Sequence, residues 1–233
     1  MSYLFRFFTL SLLYLFSAST LAAEVRYYDI ELIVFETLTE QERLSEVWKN
    51  QLDIEQPERF VELGRPYPGP IPKKFNPKHS FKPLRANRYQ LSSEAKSLVE
   101  NGNRRILLHT AWRQPGMNAK TALPIRIRKS FTNTPTQTAS DSPFTQASPA
   151  TKSELSGFIK IILSRYLHAE IDLAYTTGLP LRKTNVLTET NNEIIEPTIY
   201  HLKTSRKMRS KELHYIDHPT LGIVVLATPY KTK

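Results

Sequence analysis

Cysteine is absent from this chain of 233 residues, and glycine is scarce, with only seven residues. Without cysteine there is no disulfide, no thiolate nucleophile, no cysteine-ligated zinc or iron–sulfur site and no lipid-accepting thiol near the N-terminus. So few glycines leave little material for phosphate-binding loops, and neither GxGxxG nor GxxxxGK[ST] occurs. The sequence therefore excludes thiol chemistry and argues against the common nucleotide-binding folds.

The usual catalytic motifs are missing as well. There is no GxSxG elbow, no SxxK, and neither HExxH nor HxxEH. The 22 acidic residues offer many possible carboxylate pairs for glycan hydrolysis, and the pattern singles out no two of them. We therefore predict a protein that is not an enzyme, with no catalytic residues, no metal ion and no cofactor.

The N-terminus has the layout of a secretory signal. One cation, Arg6, precedes an almost unbroken apolar run over residues 7–16, and small residues follow as far as Ala23. This order predicts a signal peptide over residues 1–23, cleaved after Ala22 or Ala23. We expect the folded protein to begin there and to keep no membrane span after cleavage.

An uncleaved membrane anchor is the alternative interpretation, since residues 5–23 approach the length that spans a bilayer. Cleavage would lower the formal net charge from +10 to +9, because Arg6 is the only charged residue removed. An exported protein of this charge meets no genome. We therefore expect its anionic partners to be carboxylates and phosphates of the cell wall or of lipids, and not nucleic acid.

The composition, 40% hydrophobic and 23% charged, is that of an ordinary globular protein. Alternating apolar residues predict strands over 27–36, 104–112, 123–128, 155–175, 198–204, 212–217 and 222–228. Helical spacing and capping residues predict helices over 39–48 and from a cap at Ser92 or Ser93 to Asn101 and Gly102. We predict an α+β fold: a strongly curved, mostly antiparallel sheet of about seven strands with two helices in the N-terminal half, open to partial closure into a barrel.

Three of these strands carry further expectations. Residues 123–128 are interpreted as the return arm of a hairpin that begins with residues 104–112. Residues 155–175 alternate for longer than an ordinary strand, so this segment must bend strongly or break, near Arg165. Residues 222–228 have no polar side and are predicted to be a central strand.

Two segments of biased composition interrupt the strands of what we predict to be a single domain over residues 24–233. Residues 57–83 contain seven prolines and are predicted to be an extended connection lying on the surface. Residues 130–153 contain eleven serines or threonines and are predicted to be a disordered insertion inside that domain.

The strongest concentration of charge runs from Arg206 to Lys211. If this run is extended, Lys207, Arg209 and Lys211 point to one face about 7 Å apart. Such a spacing would meet successive carboxylates or phosphates. The alternative is a solvated strand face or turn with no ligand.

The adjoining ELHYIDHP segment offers His214, Asp217 and His218 as metal ligands. In a straight strand the two histidines share a face while Asp217 points away, which favours an Asp-His-Pro turn whose carboxylate accepts backbone hydrogen bonds. Tyr215 and Trp112 could stack on sugar rings, but Trp112 lies on the apolar side of its strand, which favours the core.

Three segments together resemble one family: YYDIELIVFE (27–36), ILLHTAWRQP (106–115) and SRKMRSKELHYIDHPTLGIVV (205–225). They are similar to the CsiV family of exported peptidoglycan-binding proteins of Gram-negative bacteria, the last segment being the most specific. Lys207 stands where the family pattern leads us to expect arginine, which keeps the charge but not the bidentate geometry.

The resemblance implies a periplasmic, non-enzymatic protein that associates with peptidoglycan and supports wall assembly, by way of a lipoprotein activator of a wall synthase. From their chemistry we predict these ligand-binding residues: Arg206, Lys207, Arg209, Lys211, His214, Tyr215, Asp217, His218 and Arg113. Two other functions stay open, a protein–protein adaptor of the wall-synthesis machinery and a metal-dependent wall hydrolase.

Overall fold

A computed structural model describes residues 25–39, 54–133, 151–180 and 197–231. Within these ranges the chain forms nine strands in two sheets and one α-helix. Sheet A has the spatial order β2 (Lys82–Pro83), β3 (Arg104–Pro115), β1 (Tyr27–Thr37), β9 (Leu221–Tyr230) and β8 (Leu213–Ile216). Sheet B has the order β4 (Ile125–Asn133), β5 (Thr151–Leu163), β6 (Leu167–Pro180) and β7 (Thr198–Met208).

All strand pairs in both sheets are antiparallel. The predicted antiparallel character is therefore correct, whereas the single curved sheet is wrong. The chain makes two sheets that face each other across a shared core, with no closed barrel among the described residues. The helix α1 (Ser92–Glu100) and two short 3-10 helices, Pro77–His79 and Ala86–Arg88, complete the described secondary structure.

The central strand β1 explains the layering. Its residues Ile30 and Leu32 are fully buried in the core between the sheets. Its residues Ile33 and Phe35 point the other way and pack against α1 through Leu91. Both sides of β1 are covered, so apolar side chains occur on both of its faces, and the layers run α1, sheet A, sheet B.

The long alternating segment proves to be a hairpin of β5 and β6 that turns at 164–166, so the break expected near Arg165 is confirmed. The register explains why the sequence looks like one strand. Ile159 pairs with Ile171 and Ile161 with Ala169, so odd positions face odd positions on both arms. The apolar alternation therefore continues through the turn without a change of phase.

The predicted hairpin between residues 104–112 and 123–128 is wrong. Strand β3 pairs with β1 and β2 in sheet A, whereas β4 pairs with β5 in sheet B. The connection crosses from one sheet to the other through Met117, which is buried. The carbonyl of Met117 accepts a hydrogen bond from Leu163 N at 2.7 Å. A turn here changes the sheet rather than returning the chain along β3.

The helix α1 ends as predicted, with Asn101 as its C-cap and Gly102 at φ +70°. The predicted serine cap is wrong, because Leu91 occupies the N-cap position and no side chain of the helix caps it. The two residues just before the helix are held by sheet A instead: Glu31 accepts hydrogen bonds from Gln90 N (2.6 Å) and from the N-cap residue, Leu91 N (3.0 Å). The other predicted helix, 39–48, falls almost entirely outside the described residues.

The C-terminal strands match the predictions for residues 198–204, 212–217 and 222–228, which correspond to β7, β8 and β9. Strand β9 lies between β1 and β8 and is buried along most of its length, as its apolar composition predicts.

The proline-rich segment 57–83 supplies the buried Phe75 and Phe81 to the core and ends in the edge strand β2. At the ends of the predicted insertion, residues 130–133 belong to β4 and 151–153 to β5, while 134–150 lie outside the described residues, as does the predicted signal peptide. No helix in the described part of the chain is long and apolar enough to cross a membrane.

Candidate functional site

The basic run lies where the chain passes from one sheet to the other. Strand β7 is an edge of sheet B and β8 is an edge of sheet A, and residues 209–212 connect them. The expectation of an extended run beyond Met208 is wrong. Lys211 has φ +67°, and its backbone N–H donates to the carbonyl of Ala227 at 2.8 Å. Because the loop must dock on β9 to reach sheet A, Lys207, Arg209 and Lys211 do not follow a single strand face.

The four cationic side chains of the run are nevertheless all exposed: Arg206, Lys207, Arg209 and Lys211. Arg209 lies 3.7 Å from Glu212, an exposed pair three residues apart that contributes little to stability. No acidic group in the described part of the chain forms an ion pair with Arg206, Lys207 or Lys211. These charges are therefore accessible to a ligand.

The structure adds Arg165 and Tyr166, which the sequence analysis did not include among the ligand-binding residues. The ammonium of Lys207 lies 3.8 Å from the ring centre of Tyr166, and the guanidinium of Arg165 lies 5.8 Å from it. Both distances are within the range of a cation–π contact. The turn 164–166 reaches β7 because His168 pairs with Lys207. We call Arg165, Tyr166, Arg206, Lys207, Arg209 and Lys211 the basic patch.

His214 and Tyr215 hold this loop and its strand in place. The Nε2 atom of His214 lies 3.1 Å from the backbone N and 3.2 Å from the backbone O of Arg209, which ties β8 to the loop. Tyr215 is partly exposed, stacks on Phe35 at a centroid distance of 6.0 Å, and donates its hydroxyl to Asp217 Oδ1 at 3.0 Å. Both side chains have internal contacts that give them a structural role.

Asp217 and His218 form the turn that the sequence favours. Asp217 Oδ1 accepts from the backbone N–H of His218 at 3.1 Å, and His218 Nδ1 accepts from that of Leu221 at 3.3 Å. Both polar side chains are therefore engaged by the backbone of the β8–β9 connection. Within the ranges that the structure describes, no group of three His, Cys, Asp or Glu residues is placed to hold a metal ion.

Arg113 is placed in the interior, which removes it from the accessible cations. It is buried and donates to Asp29 through Nε (2.6 Å) and Nη2 (2.8 Å), while its guanidinium lies 3.1 Å from the ring centre of Tyr230. The hydrogen bonds that Arg113 donates to Asp29 outweigh burial and raise the pKa of Arg113 above its ordinary value. Its neighbour Trp112 is fully buried and donates to Gln114, as the core interpretation predicts.

A second feature is a cleft of about 550 Å³ on the face of sheet B that points away from sheet A. Its floor includes Phe158 of β5, Asp172 of β6 and the neighbouring Glu170. One wall is formed by the segment that contains Pro57, and the other by residues 203–205 of β7. We call this feature the sheet B cleft.

Charges of both signs surround this cleft in cross-strand pairs. Asp172 contacts Lys203 at 3.3 Å and His201 at 2.6 Å, and Glu170 contacts Lys160 at 3.3 Å. Within these pairs the more exposed partners are Lys203, with 64% of its side chain exposed, and Glu170, with 49%. The cleft therefore presents a cation and an anion next to an apolar floor.

The cleft and the basic patch are neighbours along β7. Ser205 lines the cleft, and Lys207 of the basic patch lies two residues further along the same face of β7. Arg206, between them, points to the opposite face. On β6, Glu170 pairs with Ser205 and His168 pairs with Lys207. Ser205 of the cleft and Lys207 of the basic patch are therefore two residues apart along β7, a distance of about 7 Å. A single extended ligand can therefore contact both.

Comparison with known proteins gives one match. A family model described as peptidoglycan-binding protein, CsiV, matches residues 7–230. No curated protein and no solved structure gives a significant match. The matched range contains all nine strands, the basic patch and the sheet B cleft.

Proposed function

The chain belongs to the CsiV family of peptidoglycan-binding proteins, and from this premise we propose that it is an exported, periplasmic, non-enzymatic protein that holds the cell wall through its basic patch. In this proposal the cations pair with the free carboxylates of the peptide stems, and the bound protein supports wall assembly. The predicted signal peptide supports export. The positive net charge suits a compartment in which the wall is the principal polyanion.

The observation that carries the proposal is the exposure of Arg206, Lys207 and Lys211 without an internal acidic partner in the described part of the chain. Each exposed charge contact is worth about 1 kcal/mol or less in water. The affinity of a single site built from such contacts is therefore modest. The overall binding becomes stronger because the wall presents many repeating stems.

The test is co-sedimentation of the purified mature protein with isolated sacculi. The patch variant carries Arg206→Gln, Lys207→Gln, Arg209→Gln and Lys211→Gln. The matched control carries Lys73→Gln, Lys78→Gln, Arg85→Gln and Arg88→Gln, which removes the same number of lysines and arginines from exposed positions elsewhere.

We expect the patch variant to lose about 90% of its sacculus binding, since four contacts of this size are removed together. The matched control should keep most of it, because only the net charge has changed. Both variants should unfold at the same denaturant concentration as the unmodified protein. Equal losses in the two variants, or no loss in the patch variant, would contradict the proposal.

A second candidate function, adaptor to a partner protein, is favoured by the groove between α1 and the edge strand β8. Leu213 and Tyr215 of β8 are exposed there, with 47% and 39% accessibility, beside Leu98 of α1. Exposed apolar side chains on an edge strand are a common docking surface for proteins. The lipoprotein activator that the resemblance implies is the partner of this proposal. A Leu213→Asp variant should bind the purified activator at least about fivefold more weakly while keeping sacculus binding, and unchanged affinity would argue against this surface.

A further inference from the structure

We propose that the sheet B cleft is a second ligand site, which binds the zwitterionic end of a peptidoglycan stem peptide through its carboxylate and its ammonium group together. This inference rests on the proposed function in so far as the ligand is peptidoglycan. The basic patch would attract the polyanionic wall, whereas the cleft would recognise the peptide carried by it.

The floor of the cleft is a built apolar platform. Phe158 is half-buried and packs against Phe60 at a centroid distance of 5.6 Å. The segment that carries Phe60 is hydrogen-bonded to the beginning of β4. Val61 N donates to the carbonyl of Pro124 and Arg126 N donates to the carbonyl of Val61, both at 2.8 Å. Such a platform can bury alkyl groups of a peptide or the apolar face of a sugar ring.

The charged groups beside this platform can exchange partners at low cost. Lys203 is paired with Asp172 and Glu170 with Lys160, in each case at 3.3 Å across neighbouring strands. In each pair one side chain is exposed, Lys203 at 64% and Glu170 at 49%, while its partner is largely covered, Asp172 at 20% and Lys160 at 26%. The exposed Lys203 can therefore turn to a ligand carboxylate while Asp172 keeps its contact with His201 at 2.6 Å, and the exposed Glu170 can turn to a ligand ammonium.

The register sets the distance between these two contacts. Asp172 pairs with Lys203 and Glu170 pairs with Ser205, so Glu170 and Lys203 are diagonal neighbours on one face of β6 and β7. Diagonal neighbours in antiparallel strands are about 7–8 Å apart at their bases. A ligand that carries an ammonium and a carboxylate close together, as an amino-acid terminus does, can lie between these side chains and contact both.

The same arrangement discriminates between ligands. A phosphate or another purely anionic group would meet Lys160 and Lys203 but would be repelled by the three carboxylates that also line the cleft, Glu55, Glu170 and Asp172. An uncharged sugar could stack on Phe158 and hydrogen-bond to the polar lining, but it would form no ion pair with Lys203 or Glu170. The combination of both charge signs with an apolar floor therefore selects a zwitterionic peptide over the glycan alone.

The test uses the mature protein and a purified soluble muropeptide, a disaccharide whose stem peptide keeps its free amine and carboxylates. The cleft variant carries Glu170→Gln and Lys203→Gln. The matched control carries Arg128→Gln and Glu154→Gln, another cross-strand ion pair of sheet B, at 3.1 Å, which lies outside the cleft lining. Binding is measured by calorimetry, and Lys203→Gln alone, at a position 64% exposed, serves if the double variant folds poorly.

We expect the cleft variant to bind the muropeptide about five- to tenfold more weakly and the control to bind within about twofold of the unmodified protein. Acetylation of the muropeptide amine, or amidation of its carboxylates, should cause a loss of similar size. Unchanged affinity of the cleft variant, or equal affinity for an uncharged N-acetylglucosamine oligomer, would overturn the inference.

Sacculus sedimentation of the same proteins separates this inference from the proposed function. If the unmodified protein sediments with sacculi but does not bind the muropeptide, the cleft proposal fails and the proposed function stands. If the protein does not sediment with sacculi, the proposed function itself fails. A cleft variant that still sediments through its basic patch while losing the muropeptide supports both.

Discussion

The charged residues around β1 and those at the end of β7 differ in their partners and in their exposure. In sheet A three carboxylates are buried or half-buried against a basic partner, in the pairs Asp29–Arg113, Glu31–His109 and Glu36–Arg105. At the end of β7, Arg206 and Lys207 lie exposed with no such partner among the described residues. Cover by α1 and the neighbouring strands decides which charges hold the fold and which can meet a ligand.

The pair of Glu36 and Arg105 is an example of the paired charges of sheet A. Burial alone would lower the pKa of Arg105, but the charge of Glu36 and the hydroxyl of Tyr175 outweigh it, so the pKa of Arg105 is raised. Arg105 Nη2 donates to Glu36 at 2.6 Å and to Tyr175 at 2.9 Å. Because β6 supplies Tyr175, this group also fastens sheet B to sheet A.

The largest expected effect comes from breaking a pair of sheet A. Arg113→Met should lower the free energy of unfolding by about 3–5 kcal/mol, because it leaves the carboxylate of Asp29 without its partner. Arg206→Met, at an exposed position of β7, should change it by less than about 0.5 kcal/mol. Urea denaturation of the two variants makes the comparison, and equal losses would mean that the two regions do not differ as described.

An intermediate effect is expected at the buried end of α1. Glu31→Gln should cost about 1–3 kcal/mol, because the charged acceptor for Gln90 N, Leu91 N and His109 is weakened. Hydrogen exchange should accelerate in the first turn of α1. Glu100→Gln, at the exposed end of the same helix, is the control and should leave the exchange of that turn unchanged; acceleration in both variants would contradict the role assigned to Glu31.

The smallest effect is expected at the ring that the basic patch surrounds. Tyr166→Leu removes the cation–π contacts of Lys207 and Arg165, so sacculus binding should weaken about two- to fivefold with little change in stability. Tyr166→Phe keeps the ring and should keep the binding. If the leucine variant binds as well as the phenylalanine variant, Tyr166 does not organise the basic patch.

Local pattern was sufficient wherever the burial of a segment is visible in the segment itself. The strands β1 and β9, the end of α1 at Gly102 and the break near Arg165 all follow from apolar patterning and turn chemistry. Partner choice was not visible: the alternation of residues 123–128 predicts a strand, but nothing in it says that β4 pairs with β5 across the core rather than with β3.

The candidate site shows the same limit. The basic run identifies itself by composition, whereas the fate of Arg113 depends on Asp29, which lies 84 residues away in sequence. Tyr166 enters the basic patch only through the register between β6 and β7, and the sheet B cleft needs three strands and the segment around Pro57. If residues 155–175 are recognised as a hairpin, the sequence indicates a turn at 164–166. That turn is the feature that lies beside Lys207.

The most direct test of the central claim, that the exposed cations of the basic patch bind the wall electrostatically, is the salt dependence of sacculus sedimentation by the unmodified protein. Screening shortens the reach of exposed charges from about 30 Å at 0.01 M salt to about 3 Å at 1 M salt. We predict that the bound fraction falls steadily over this range while the protein stays folded. Retention that does not change with salt would contradict the account.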